Sequence, residues 1–184
     1  MGQLHYETAM KSATIGRPGS DEHAQFYAKY VTRVPDGDLV GQLREQLIET
    51  ATMLRAVPAD RADFAYAPGK WSIKEVIGHM IDVERVMSYR AVRFARNDKT
   101  ELPGFDENLW AANANFSERT IDDLVDELEV VRAATIHFAK HLSAEEQTRR
   151  GKANGQEVTV RALMYIIAGH ERHHAALLRE RYLA

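Results

Sequence analysis

Two histidines four residues apart, His170 and His174, are the residues of this sequence best suited to chemistry. In an α-helix this spacing leaves them about 40° apart around the axis and one turn apart along it, so they share a face. Two such imidazoles can offer nitrogens to one cation if a third ligand arrives from another segment. The alternative is that both are core residues without a metal. Each would then need hydrogen-bond partners, because a buried nitrogen left unpaired costs roughly 1–3 kcal/mol.

The helix that carries this pair is predicted over residues 159–182. Its apolar positions fall on the same arc as the two histidines, and His173 falls at the edge of that arc. The arc should face the other helices of a core. It contains Val160, Leu163, Met164, Ile167 and Leu178.

A second helix supplies the third candidate ligand, His79. Ser72 and Glu75 have the spacing of a capping box, so this helix is predicted to begin at Ser72 and to run to about Arg96. His79 lies at the border of its apolar arc, where a side chain can reach along the seam between two helices. A histidine at the solvent edge is the alternative interpretation.

Two further amphipathic helices are predicted, over residues 38–56 and from Thr120 to about Leu142. The latter holds a second histidine pair, His137 and His141, but both lie opposite its apolar stripe and are expected to be solvated. No convincing strand is found, and a short helix is expected within residues 17–30. The sequence therefore predicts an all-α four-helix bundle in up-down order, with crossovers as the alternative for its long connections.

The connection over residues 97–119 is too long for a simple turn and is expected to have a function. We place Phe105, Asp106 and Trp110 at the mouth of a site. A structural role for Trp110, as a plug over one end of the bundle, is the alternative.

Composition and charge exclude several classes of protein. The net charge is −3 with scattered basic residues, so nucleic-acid binding is not expected. No apolar run approaches 18 residues and no signal peptide is recognised, so no membrane association and a cytoplasmic location are expected. There are 0 cysteines, so any metal must bind nitrogen and oxygen ligands.

Three segments resemble the DinB-like superfamily of four-helix metal-binding proteins: PGKWSIKEVIGHMIDVE, FDENLW and GHERHHAALLRERYL. The resemblance covers most of the chain from Tyr30 onward. It implies a DinB/YfiT-like domain over residues 38–184, with residues 1–37 as an N-terminal arm packed on the bundle.

The resemblance also implies a site. The three-histidine metal site of the family would fall on His79, His170 and His174, while His173 matches no ligand position. Asp82 matches a position that is often acidic, and we expect it to orient an imidazole; a surface pair with Arg85 or Arg90 is the alternative. The cation would be divalent nickel, zinc, manganese or iron.

Members of the family include thiol-dependent transferases, so the leading hypothesis is a metal-dependent S-transferase that uses a low-molecular-weight thiol and a small-molecule substrate. A metal-dependent hydrolase is the second hypothesis, and a protein that binds metal or a small ligand without turnover is the third. An open cavity beside the histidines would favour chemistry, and a sealed site would favour a structural metal. Homodimerisation is expected from such relatives.

Overall fold

The computed structural model describes residues 14–184 and is built mainly from α-helices. The helices are α1 (Ala28–Val31), α2 (Leu39–Arg55), α3 (Ile73–Ala95), α4 (Glu107–Asn113), α5 (Ile121–Ala139), α6 (Ala144–Thr148) and α7 (Val160–Leu177). Helix α7 continues into a π-helical turn at Leu178–Tyr182, and short 3₁₀ turns lie at Gln25–Tyr27, Ala59–Arg61 and Phe116–Glu118.

The long helices α2, α3, α5 and α7 form a four-helix bundle, and α1 is the predicted short N-terminal helix, so the expected all-α fold is confirmed. Helix α3 packs mainly against α7 and α5, and α2 packs mainly against α5 and α7. Helices α2 and α3 therefore lie at opposite corners, and their connection crosses the bundle. No helix in residues 14–184 combines the length and the apolar character needed to cross a bilayer.

Each long helix begins at a side chain that caps its first turn. Ser72 and Glu75 form the predicted capping box of α3, with both hydrogen bonds present. Asp38, Thr120 and Thr159 accept a hydrogen bond from the backbone of α2, α5 and α7 respectively. These caps satisfy amide groups that have no partner within the helix, and so they fix where each helix starts.

The predicted apolar stripes form the core, but α7 is more deeply buried than a one-sided stripe requires. Every residue of α7 from Ala162 to Glu171 is buried. A helix buried on all sides lies at the centre of the packing. The histidines at its C-terminal half are therefore surrounded by protein.

The expectation that the chain has no strand is wrong. Arg150–Ala153 and Gln156–Thr159 form an antiparallel β-hairpin, β1 and β2. Asn154 and Gly155 make its turn with positive φ angles of 50° and 73°. Asn-Gly is a strong signal for such a two-residue turn, but four-residue strands carry little periodicity of their own.

The connection over residues 97–119 is also more structured than expected, because it contains α4. Asp106 begins this helix by accepting hydrogen bonds from the backbone of Asn108 and Leu109. Before it, Leu102 pairs with Ala153 of the hairpin. The connection is thus attached to β1 and folded against the bundle.

The described part of the predicted arm begins at residue 14; residues 1–13 lie outside the described residues. Glu22 accepts hydrogen bonds from Thr159 at 2.8 Å and from Arg161 at 2.7 Å. These contacts join the segment before α1 to the start of α7. The following helix α1 packs along α7.

A buried ionic network joins all four long helices. Arg132 of α5 is fully buried and donates two hydrogen bonds of 2.7 Å to Glu84 of α3 and one of 2.6 Å to Glu171 of α7. It also donates to the backbone carbonyl of Leu43 in α2 at 3.1 Å. Gln46 of α2 donates to Glu171 as well. The network fixes the rotation of each helix against its neighbours.

Replacing Arg132 should cost the bundle much of its stability, because two buried carboxylates would lose their cation. For Arg132→Met we expect the free energy of unfolding to fall by about 3–5 kcal/mol. The exposed ion pairs of Arg55 with Asp126 and Glu129 provide the control, and Arg55→Met should cost about 1 kcal/mol or less. Urea unfolding followed by circular dichroism measures both; equal losses would contradict the assigned role of the network.

Candidate metal centre

The structure brings His79, His170 and His174 together between α3 and α7. The Nε2 atom of His170 lies 3.0 Å from Nε2 of His79 and 3.1 Å from Nε2 of His174. His79 follows the capped start of α3 by two turns, and the other two occupy successive turns of α7. These three residues form the one group of potential metal ligands found within residues 14–184.

Burial keeps the three imidazoles neutral. It lowers the pKa of His79 from 6.5 to about 4, with a smaller opposing effect from the carboxylate of Glu107. Burial and, to a smaller extent, the neighbouring histidines lower the pKa of His170 well below its usual value and that of His174 to about 2. A neutral imidazole has a free lone pair, which is the form that binds a cation.

The contacts among the three Nε2 atoms fit a shared cation better than hydrogen bonding. A ring nitrogen carries either one proton or one lone pair, so Nε2 of His170 can make one good hydrogen bond in its ring plane, but it faces two nitrogens. Two nitrogens bound at about 2.0–2.1 Å to one ion lie about 3.0–3.4 Å apart. The donor set therefore fits a divalent cation.

Two aromatic rings hold two of the histidines in place. Trp71 packs on His79 with ring centroids 4.7 Å apart, and Tyr30 meets His170 edge-on at 5.3 Å. The approach of Tyr30 requires a glycine at position 169, because a Cβ atom there would lie 2.0 Å from the backbone oxygen of Tyr30. Gly169 thus lets α1 pack directly on the helix that carries His170.

A cavity of about 350 Å³ opens beside the cluster, and His79 and His170 form part of its wall. Its volume is in the range of small-molecule sites. Aromatic side chains from the segment before the bundle, Phe26, Tyr27 and Tyr30, form one side. Helix α3 and residues 104–107 form the other, so a small molecule entering the cavity can reach the histidines.

The remaining site residues named from the sequence lie in different places. Phe105 lines the cavity and packs on Trp110, with ring centroids 4.7 Å apart. Trp110 and Asp82 line a neighbouring groove, which shares Arg90, Gly104 and Phe105 with the cavity. Asp106 is occupied as the cap of α4. The structure gives Asp82 no hydrogen bond to a histidine among the described residues, and burial raises the pKa of its carboxyl.

Two charged cavity residues, Glu107 and Arg90, escaped the sequence analysis. Glu107 lines the cavity and acts electrostatically on both His79 and Tyr30. Arg90 lines it as well, although it is buried. A signal for Arg90 was present, since it falls between Met87 and Phe94 on the apolar stripe of α3.

The other histidines of the two HxxxH helices remain outside the cluster. His137 of α5 and His141, which lies in the turn just after that helix, are both exposed, as expected. His173 packs against Tyr30 and His174 but does not join the three ligand atoms.

Comparisons with known proteins agree with this architecture. The sequence profile described as the DinB superfamily matches residues 42–178. A protein of Oceanobacillus iheyensis, provisionally named a metal-dependent hydrolase, is 24% identical over 157 residues, which are 80% of this chain and 89% of that protein.

Two solved structures share the fold. YfiT from Bacillus subtilis, described as a probable metal-dependent hydrolase with an unusual four-helix bundle topology, superimposes with a TM-score of 0.66 and 15% identity over 90% of each chain. The mycothiol-dependent maleylpyruvate isomerase gives a TM-score of 0.64 and 15% identity over 79% of this chain and 61% of its own.

Removal of any one histidine of the cluster should abolish stoichiometric metal binding, because two imidazoles on one side of an ion hold it weakly. We expect about one divalent ion per chain in the wild type and close to none in His79→Ala, His170→Ala and His174→Ala. Elemental analysis of purified protein measures the content and identifies the metal.

The pair His137 and His141 provides a control with the same spacing in sequence, at the exposed C-terminal end of α5. The double replacement His137→Ala and His141→Ala should retain the wild-type metal content. Loss of metal from this control, or its retention in the cluster variants, would refute the assignment.

The metal-free protein should lose stability as the pH falls below about 6.5. Unfolded histidines bind protons near pH 6.5, whereas folded His79 does so only near pH 4, so the unfolded state binds more protons within this window. Stability is therefore full above the window and falls through it, by about 1.4 kcal/mol per pH unit for each such histidine. Urea unfolding at several pH values should show that the free energy of unfolding depends less steeply on pH in His79→Gln than in the wild type. Equal slopes for the two proteins would contradict this prediction.

Proposed function

Because the chain belongs to the DinB superfamily and carries three convergent imidazoles beside an open cavity, we propose that it is a metal-dependent enzyme acting on a small molecule. The observation that carries the proposal is the contact of Nε2 of His170 with Nε2 of both His79 and His174. The cavity favours chemistry over a structural metal, since a ligand can approach two of the three histidines.

His79, His170 and His174 would hold the cation and, as neutral ligands, would leave its charge undiminished. A divalent cation at this point lowers the pKa of a thiol or water that reaches it and polarises an electrophile. The chain's own contribution is positional, because Trp71 and Tyr30 restrict the imidazoles.

The leading reaction is the conjugation of a low-molecular-weight thiol with an electrophilic substrate. The chain has 0 cysteines, so a thiol nucleophile must come from a bound molecule. Neutral imidazole ligands suit this reaction, because they do not reduce the positive charge with which the cation would attract an anionic thiolate. The cavity, at about 350 Å³, matches a small electrophile and the reactive end of the thiol.

Hydrolysis is the second candidate, and Glu107 is the observation that favours it. Activation of water needs a proton acceptor near the histidines, and the carboxylate of Glu107 lines the same cavity and acts on His79. The names of the Oceanobacillus and Bacillus relatives agree with this class of reaction. In this scheme Glu107 takes the proton that water loses as it attacks the substrate.

Glu107→Gln separates the two reactions. General-base catalysis contributes about 10²–10⁴-fold, so hydrolysis of nitrophenyl esters should fall by that factor, whereas conjugation of a thiol panel with a chloronitrobenzene should fall less than about tenfold. Steady-state rates of zinc- and nickel-loaded protein measure both reactions.

Glu118→Gln removes an exposed carboxylate outside the cavity and should leave both rates unchanged. Chelation of the metal and His170→Ala should abolish whichever activity is present. An activity that survives both treatments would arise elsewhere, and the absence of both activities in metal-loaded protein would count against an enzyme of either class.

A further inference from the structure

Arg90 lies on the same face of α3 as His79 and further along the same cavity. Eleven residues separate them, which is three helical turns and about 16 Å along the axis. Val83 and Met87 occupy the turns between, and all four residues line the cavity. One wall of the cavity therefore runs from Arg90 to the histidine cluster.

The charge of Arg90 is buried without a counter-charge. Its side chain is only 3% exposed as a residue, and its guanidinium donates to the carbonyl of Pro103 at 2.8 Å and approaches Sδ of Met87 at 3.7 Å. Neither partner is ionised. No carboxylate within residues 14–184 forms an ion pair with it, whereas the other deeply buried arginine, Arg132, contacts two.

A buried guanidinium without an anion is unfavourable, because burial removes its hydration and nothing replaces the lost charge interaction. Where such a group also lines a cavity, an anionic ligand can supply the missing partner. Arg90 has five N–H donors, and its two protein partners leave some of them for a ligand.

We propose that Arg90 binds the carboxylate of the substrate whose reactive end reaches the three histidines. This assignment of a substrate class depends on the proposed function, but the carboxylate site depends only on Arg90 and the cavity. A carboxylate matches the planar fork of one guanidinium with two parallel hydrogen bonds. The dianion of a phosphate is less suited, because a single arginine faces it and Glu107 lies on the same cavity wall.

The rest of the cavity defines the body of this substrate. Phe26, Tyr27 and Phe105 line it, so an aromatic or aliphatic group attached to the carboxylate would be buried against rings. The cavity volume of about 350 Å³ limits the ligand to a small molecule. The substrate class is therefore a small apolar carboxylic acid with a reactive group at the end away from the carboxylate.

The test compares phenylpropanoate with phenylpropanamide, which have nearly the same shape and differ in charge. Isothermal titration of metal-free wild-type protein should show the acid binding about tenfold or more tightly than the amide, and Arg90→Met should reduce this preference to within about threefold. Metal-free protein is used so that the carboxylate cannot bind a cation at the histidines. Arg44→Met removes the same charge from an exposed position on α2 and should leave the preference intact.

Equal binding of acid and amide to the wild type, or binding of neither at millimolar concentration, would overturn the proposal. So would a preference that survives Arg90→Met, or tighter binding of phenylpropylphosphonate than of the acid. If circular dichroism shows that Arg90→Met does not fold, Arg90→Lys replaces it and should weaken acid binding while the amide is unaffected.

Metal content measured on the same samples separates this proposal from the proposed function. Stoichiometric metal without a carboxylate preference would refute the carboxylate site alone. A carboxylate preference in a protein that binds no metal would support the site and refute the metal-dependent enzyme.

Discussion

The orientation of the helices that carry the histidine cluster depends on one buried interaction, the guanidinium of Arg132 held between Glu84 and Glu171. Glu84 lies five residues after His79 on α3, and Glu171 directly follows His170 on α7. Because the fork of an arginine pairs with carboxylates in few directions, a rotation of either helix would break these hydrogen bonds. The same contact therefore turns His79 and His170 toward each other. A buried ion pair adds little net stability compared with apolar packing, so its contribution here is to orientation.

The network also shapes the electrostatics of the histidine cluster. Two carboxylates face one guanidinium, which gives the group a formal charge of −1, and Glu84, Arg132 and Glu171 share a small gap with His170. The three imidazoles are neutral in the metal-free protein because burial lowers their pKa values. A neutral ligand set beside an excess negative charge attracts a cation more strongly than the ligands alone. The site is thus selective for positive charge at its centre, while the cavity ends at the cationic Arg90.

Much of this arrangement follows from the sequence, and the parts that do not have physical causes. The long helices were predictable because their apolar positions repeat at helical spacing and Ser72, Thr120 and Thr159 cap them. The convergence of His79 with the α7 pair followed from the resemblance to a family, since periodicity alone gives the face of a residue but not its partner. The buried arginines were missed because arginine is usually solvated, although Arg90 and Arg132 both fall on apolar stripes. The hairpin and α4 are too short for periodicity to distinguish them from loops.

The cavity could not be derived from the bundle alone, because segments outside the four long helices supply most of its lining residues. The side chains before α1 reach it because Gly169 allows α1 to lie against α7, and residues 104–107 reach it because Leu102 pairs with the hairpin. Gly104 packs so closely on Asn154 that a Cβ atom would lie 2.3 Å from the amide oxygen of that side chain. Each of these contacts joins residues that are far apart in sequence, and none of them is indicated by the residues on either side of it.

The two HxxxH pairs of the chain show what the spacing itself decides. His137 and His141 have the same four-residue spacing as His170 and His174, but α5 ends before His141, whereas α7 contains both of its histidines. The ring centroids are 6.4 Å apart in the first pair and 4.4 Å in the second. The first pair is exposed, so water solvates each ring and nothing draws the nitrogens together. The second is enclosed by α1 and α3, which removes water and adds the nitrogen of His79. Spacing places two imidazoles on one face; burial and a third imidazole from another helix are what make that face a candidate metal centre.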